Sequence, residues 1–484
     1  MCGLAWQAKT KRALWYLAIA AAVLLLCSKS SPLFAFNDWM DANIFFTMGK
    51  SMFSGKVLYR DVFDHKGPVI YLLYGLGSLA DRTGFTGVFA LEVLSFALFL
   101  ALGVRTAAVL CGRALHPAWA ALPAAAVAAG RAFFHGGSAE EFLLPFLAAA
   151  LYGGLRALCA GRRMPLPAVA LQGFLAGCAL WLKYTVLGFY LAWAALLALW
   201  YVRRGWGRAL AQSCGAYLGG MALAALPWAV YFGVHGALGD WFTAYFYDNL
   251  FLYHGSGGPA ALVQHLWWAA RDALPAVALF ALFLVWAFAA RRRAAAAWAA
   301  VLAAGLTLTS LLGGYLVYYS LVLAVFAPLG LAPLASWAAR RPLPRWLRCA
   351  APWAALAAAA MFCWAASPNR NLRGRAADTL PQIRFAAQIN AQPGASLLNY
   401  GTLDGGFYTA AGVLPPCRYF CVTNMPLEAQ WAEQNTLLQT GAVDYAVALV
   451  DDLQTRFPQY VCIDACRYDG GEGEVTWYLY QKQG

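Results

Sequence analysis

The chain has 484 residues; 62% are hydrophobic and only 12% are charged. Soluble domains carry about 25% charged residues, so an ordinary cytosolic enzyme and a disordered chain are both excluded. The net charge of +13 sits in short clusters between long apolar runs, not along one basic face. That distribution speaks against nucleic acid and for a polytopic α-helical membrane protein.

A span needs about 20 apolar residues. In chain order, hydropathy predicts eleven spans, at 13–30, 86–110, 118–134, 143–160, 166–182, 185–202, 209–232, 273–290, 294–311, 316–335 and 350–366. The basic clusters between them are Lys9/Lys11/Arg12, Arg105/Arg113, Arg156/Arg162/Arg163, Arg203/Arg204/Arg208, Arg291/Arg292/Arg293 and Arg340/Arg341/Arg345/Arg348. If the spans alternate, all six clusters fall on one side, which the positive-inside rule makes the cytoplasm. The N-terminus is then inside and the C-terminus outside. Acidic residues agree: of 22, Glu92 alone lies well inside a span, and the rest lie in outer loops or after residue 366. The first apolar run lacks a clear small-residue cleavage site and reads as an uncleaved anchor.

Two outer regions are large. Residues 31–85 form the first outer loop, within a membrane domain of residues 1–366. Residues 367–484 are far more polar and read as a separate small α/β domain. There, Ser396–Tyr400, Tyr445–Val450 and Val475–Tyr480 read as strands, and Thr379–Ala391 and Leu427–Leu438 as helices. This outer domain holds Cys417, Cys421, Cys462 and Cys466, two C-x3-C pairs. A four-Cys zinc site is one reading. Disulfides, in any of three connectivities, are the reading favoured outside the cytoplasm.

The densest chemistry lies in Asn37–Tyr74. Asp41 is followed by Ile44, Phe45, Met48 and Met52 at helical spacing, which predicts an amphipathic helix on the membrane surface with its apolar face toward lipid. Asp41 stands at its N-terminal end, where the helix dipole favours a carboxylate. A polar turn, Arg60–Pro68, follows; five of its nine residues can carry charge. A second apolar stretch, Val69–Leu79, then runs along or dips into the surface. Titratable groups held at a membrane are functional candidates.

From Asp41 to Gly55 the pattern is D-x-x-x-F-x-x-x-G-K-x-M-x-x-G, and from Tyr59 to Pro68 it is Y-R-D-x-F-D-H-K-G-P. These stretches resemble the first periplasmic loop of bacterial GT-C glycosyltransferases, the superfamily of protein O-mannosyltransferases and aminoarabinose transferases. The architecture agrees along the whole chain. The resemblance implies a polyprenyl-phosphate-linked sugar donor and an inverting transfer. It implies that Asp41 is the base or the acceptor-orienting carboxylate. Lys66 matches the lysine of a Lys-Pro-Pro element that holds the donor phosphate, with Gly67 in place of the first proline. Glu140 or Glu141 matches an acidic residue of the second outer loop.

Such a transfer needs a carboxylate for the acceptor hydroxyl, cations for the leaving phosphate and a groove for the prenyl tail. It does not need the paired carboxylates of glycosidases. Asp61 and Asp64 are alternatives to Asp41, or else ion-pair partners for Arg60 and Lys66. His65 and Arg60 could assist Lys66 at phosphate, or serve structure. Lys183 could meet phosphate or snorkel to headgroups. Glu140 and Glu141 could orient the acceptor or pair with Arg131. Tyr59, Tyr245 in the aromatic loop Asp240–His265, and Tyr318 and Tyr319 after Gly313-Gly314 could bind substrate or form an interfacial belt.

No H-E-x-x-H or Walker motif occurs, and no cytoplasmic D-x-D site for a sugar nucleotide stands out. No cofactor is expected, although a divalent metal stays possible. The expected partners are a polyprenyl-phosphate sugar, membrane lipid and a cell-envelope acceptor, in a bacterial plasma membrane. The rival classes are a flippase or transporter for lipid-linked glycans, and a non-catalytic assembly protein. A transporter calls for ionisable residues inside the spans, and here the functional charges lie in the loops.

Overall fold

A computed structural model describes residues 2–253, 257–340, 344–471 and 473–483. Arg341 of the last basic cluster and His254, Gly255 and Ser256 of the aromatic loop lie outside the described residues, as do the side chains of Arg345 and Arg348.

In hydrocarbon every backbone N–H and C=O must be satisfied within the segment, so the apolar runs become helices. Among the described residues eight are long and apolar enough to cross a membrane: Lys9–Cys27, Thr86–Cys111, Ala139–Ala160, Tyr184–Arg203, Gly207–Val234, Arg293–Leu311, Val317–Ala338 and Cys349–Ala366. A ninth arises if Pro259–Asp272 and Leu274–Ala289, bent by 95°, count as one broken span. Pro117–Ala128 and Leu166–Leu180, both within the expected set, are shorter apolar helices. Length and composition therefore bear out eight or nine of the eleven expected spans. Gly207–Val234 leaves Leu218, Leu223, Leu226 and Val230 exposed. Such an apolar surface is at home in lipid, and the chain is a multi-pass membrane protein.

The first four helices are α1 (Cys2–Cys27), α2 (Met40–Phe53), α3 (Pro68–Ser78) and α4 (Thr86–Cys111). The chain divides into two compact units. The first comprises 1–28, 92–227 and 255–370; the second comprises 29–91, 228–254 and 371–484. In the first unit, the helices Leu187–Arg203 and Arg293–Leu311 meet at Gly188 and Gly305. A Cβ on Gly188 would lie 2.1 Å from the Gly305 carbonyl oxygen, so only glycine permits this backbone approach.

The second unit contains a four-stranded sheet in the order β1-β2-β4-β3, where β1 is Leu397–Asn399, β2 Tyr445–Ala448, β3 Tyr460–Asp469 and β4 Glu474–Lys482. β1 and β2 are parallel (Leu398 opposite Ala446), which requires a crossover, and the helix Glu428–Gln439 lies within that connection. β4 runs antiparallel to both neighbours, with Ala446 opposite Tyr480 and Cys466 opposite Trp477. Leu398, Leu438, Ala446, Tyr460 and Tyr480 form its core. The three expected strands and both expected helices are present; β3 was not foreseen.

β3 excludes one of the possible disulfides. Residues four apart on a strand stand about 13 Å apart, whereas disulfide-bonded Cα atoms lie within about 7 Å. Cys462 and Cys466 therefore cannot pair with each other. Cys417, Cys421, Cys462 and Cys466 are all free thiols, so the expected disulfides are absent. Among the described residues no group of three or more His, Cys, Asp or Glu side chains could hold a metal, which removes the four-Cys zinc reading.

A further correction concerns α2. Ala42–Ser51 are all buried by protein, polar Asn43, Thr47, Lys50 and Ser51 included. Its apolar face is therefore not turned to lipid. The polar side is satisfied by the C-terminal segment: Thr47 donates to Asp404 Oδ2 (2.6 Å) and Lys50 to the Tyr408 carbonyl (2.8 Å). On another side α2 packs on α3. A Cβ at Gly49 would stand 2.4 Å from both Gly75 N and the Tyr71 carbonyl.

Candidate functional site

The first-loop residues gather within the second unit. Asp41 occupies the first turn of α2, as its position at the start of the apolar periodicity foretold. The turn between α2 and α3 is built around Tyr59, which is fully buried and has a φ of +67°. Left-handed backbone at an aromatic residue is strained and persists only where its surroundings over-determine it. Here the Tyr59 hydroxyl donates to the Lys66 carbonyl at 2.7 Å. The Lys66 N–H donates to the Tyr71 hydroxyl at 3.0 Å, and that hydroxyl donates to Asp64 Oδ2 at 2.7 Å. Lys66 is thus fixed at both its N–H and its C=O, and Pro68 starts α3 immediately beyond.

Asp64 is 2% exposed. Burial pushes its pKa up, but Lys66, His65 and the Tyr71 hydroxyl outweigh burial and hold it below the usual carboxylate range. His65 is moved the other way. Burial, and then the Lys66 charge, lower it to about 4, against the opposing pull of Asp64, Asn249 and Asp41. His65 is therefore neutral at physiological pH. Asp41, Asp64, His65 and Lys66 form one electrostatic group.

Arg60 and Asp61 play a different part. Asp61 accepts from Arg60 Nε at 2.8 Å and from the Val57 N–H at 2.7 Å, and Arg60 also donates to the His235 carbonyl at 2.8 Å. Both oxygens of Asp61 are engaged in holding the turn, and the Arg60 bond foremost lowers its pKa. Tyr245 is 1% exposed and lies within a π-helix, Thr243–Leu252.

The remaining candidates lie in the first unit. Ser138 caps Ala139–Ala160 through the Glu141 N–H (3.1 Å) and so sets Glu140 and Glu141 in the first turn. Both are buried. Glu141 accepts from the Gly137 N–H at 2.8 Å. Glu140 forms a close ion pair with Lys183. The Lys183 ammonium also stands 3.6 Å from the Tyr319 ring centroid and 5.7 Å from that of Tyr318. Lys183 is thus enclosed by a carboxylate and two aromatic faces. Arg131 pairs with Asp272 at 3.6 Å, not with Glu140 or Glu141. Asp272 also takes Arg271 (2.9 Å) and the Tyr315 hydroxyl (2.7 Å), so one buried carboxylate orients two half-exposed guanidiniums.

Sequence reasoning missed Asn249, Tyr71 and the Arg271–Asp272 pair. Asn249 had a signal: it is the sole amide side chain in the aromatic run Trp241–Tyr253. Its amide nitrogen donates to the carbonyls of His65 (2.7 Å) and Tyr245 (3.0 Å), and its oxygen faces His65 Nδ1 at 3.0 Å.

Nearly the whole chain, across both units, shares the fold of a solved membrane protein. The chain is similar to ArnT from Cupriavidus metallidurans, in crystal structures bound to undecaprenyl phosphate and in the apo state. The TM-score is 0.65 for both, at 15% and 14% identity. The alignment covers 96% and 98% of this chain and 98% of each ArnT chain. The cryo-EM structure of arabinofuranosyltransferase AftD from Mycobacteria aligns at 15% identity and TM-score 0.46, over 97% of this chain and 40% of that one. No protein-family profile matches the sequence, and no curated protein matches it.

Proposed function

We propose that the chain is an inverting membrane glycosyltransferase that moves a sugar from a polyprenyl-phosphate carrier to a cell-envelope acceptor, a polymer, lipid or protein. One observation carries the reading: nearly the whole chain shares its fold with ArnT, whose crystal structure holds undecaprenyl phosphate. In this reading residues 1–366 are the embedded part and 367–484 an extracytoplasmic domain, with the N-terminus in the cytoplasm, an orientation supported by the basic clusters when all eleven expected spans cross.

In this reading Asp41 takes the proton of the acceptor hydroxyl as its oxygen attacks the anomeric carbon. The bond from that carbon to the phosphate oxygen breaks, and polyprenyl phosphate leaves with the electron pair. Lys66 stabilises the charge that grows on the phosphate. Neutral His65 adds no charge of its own and supports the Lys66 ammonium. Asp64, tied to Tyr71, ranks behind Asp41 as base, and Asp61, with both oxygens occupied, ranks behind both. Glu140, Glu141, Lys183, Tyr318 and Tyr319 are kept as substrate-contact candidates of the first unit.

The test uses protein in nanodiscs with a panel of radiolabelled polyprenyl-phosphate sugars and acceptor-containing membrane extract. Wild type should consume one donor and Asp41→Asn should not. Equal consumption by both moves the base to Asp64. A labelled lipid that binds without being consumed returns the flippase reading and sinks this one.

A further inference from the structure

A cavity of about 920 Å³ opens between α1 and α4 in the first unit, away from every residue named in the proposed reaction. Its size falls within the range of ligand sites, about 300–1,000 Å³. Four cations line it: Lys9 and Arg12 from α1, Arg105 from α4, and Arg113 just beyond the end of α4. No lining residue is acidic. Arg113 is tethered to the Ala335 carbonyl, and Arg156 lies over the ring of Tyr152, another lining residue.

The cavity's other wall is apolar. On α4, Ala97, Ala101, Ala108 and Gly112 recur at helical spacing with Arg105 among them, so one face is a shallow groove interrupted by a single charge. Isolated lysines and arginines at span ends snorkel to the headgroups. Here four of them converge on one concavity, where they repel one another unless an anion joins them. An apolar trough that ends in uncompensated cations complements a phosphate attached to an acyl chain.

We propose that the α1–α4 cavity binds an anionic phospholipid, with its phosphate among Lys9, Arg12, Arg105 and Arg113 and one acyl chain along the alanine face of α4. Basic pockets between membrane helices hold such headgroups, and each cation near the surface contributes about a fivefold gain in binding. The proposal stands independently of the glycosyltransferase reading.

Native mass spectrometry of the full chain in detergent, titrated with phosphatidylglycerol or with phosphatidylcholine of the same acyl length, tests it. Wild type should retain one phosphatidylglycerol in preference to phosphatidylcholine. Arg12→Gln/Arg105→Gln should lose the preference about 25-fold, two cations at about fivefold each. Arg203→Gln/Arg204→Gln, at another basic cluster, should keep it. Ala101→Leu fills the groove without changing charge and should also weaken retention, so the proposal does not depend on the double variant folding. Equal retention of the two lipids by wild type overturns it. So does undiminished preference in both Arg12→Gln/Arg105→Gln and Ala101→Leu.

Discussion

His65 Nδ1 lies 3.0 Å from the side-chain oxygen of Asn249, and that contact fixes the tautomer of the histidine. The Asn249 amide nitrogen is committed to the His65, Ala244 and Tyr245 carbonyls, so its oxygen faces the ring and must accept. Nδ1 therefore carries the proton. Nε2 is left with a lone pair, 3.1 Å from the Lys66 ammonium that donates to it. A protonated His65 would lose this bond and set two positive charges side by side.

A pH dependence follows with a definite sign. The folded-state pKa of His65, about 4, is below the unfolded value of about 6.5. The unfolded chain thus binds more protons between these values, and stability falls as pH drops through that window. Full protonation costs about 3 kcal/mol. Asp404, raised to about 6 chiefly by burial, acts in the opposite sense over part of the range. The difference between wild type and His65→Gln isolates the histidine. Thermal unfolding from pH 7 to 4.5 should fall more steeply for wild type, and parallel curves would refute the assignment.

Lys66→Met should reduce donor turnover by roughly 10²–10³-fold, the scale seen when one group that stabilises a developing anion is removed. Lys66→Arg should recover part of it, since Tyr59 and Tyr71 hold the backbone of residue 66 and not its side chain. Single-turnover donor cleavage measures both. Wild-type rates in Lys66→Met would remove the lysine from the phosphate site.

The Glu140–Lys183 pair is 2% and 13% exposed at its side chains. Breaking a buried pair strands a charge, at a cost of about 3–5 kcal/mol. Lys183→Met should be strongly destabilising, and adding Glu140→Gln should restore much of the loss. A double-mutant cycle on thermal stability reads the coupling. Simple additivity would show that the two charges do not depend on each other.

Gly49→Ala places a methyl group where the Tyr71 carbonyl and the Gly75 nitrogen already stand. Separating α2 from α3 should cost about 1–3 kcal/mol and shift the Tyr71 hydroxyl, so donor turnover should fall along with the melting temperature. An unchanged turnover at lower stability would show that the hydroxyl tolerates the shift.

Much of this was legible in one sequence, for physical reasons. The period of 3.6 from Asp41 to Met52 announces α2, and the apolar runs announce the membrane helices. β3 escaped because it is an edge strand in which Asp464, half-buried, and Arg467 and Asp469, exposed, blur the strand pattern. Both sides of α2 are buried because its polar face meets Asp404 and Tyr408, more than 350 residues later, and local periodicity cannot report a partner at that distance. The Asn249 contact rests on a π-helix, whose i→i+5 bonding leaves no periodic mark in composition.

The two tyrosines around Lys66 carry a consequence for how the protein meets an anion. A lysine on an open loop surrenders conformational freedom at the moment of encounter, and that loss opposes binding. At residue 66 the peptide on either side is already held by Tyr59 and Tyr71, so the backbone share of the loss belongs to folding, before any ligand arrives. What remains to be gained at the encounter is electrostatic. Affinity for a phosphate should then respond steeply to ionic strength and only weakly to loop substitutions outside this clasp.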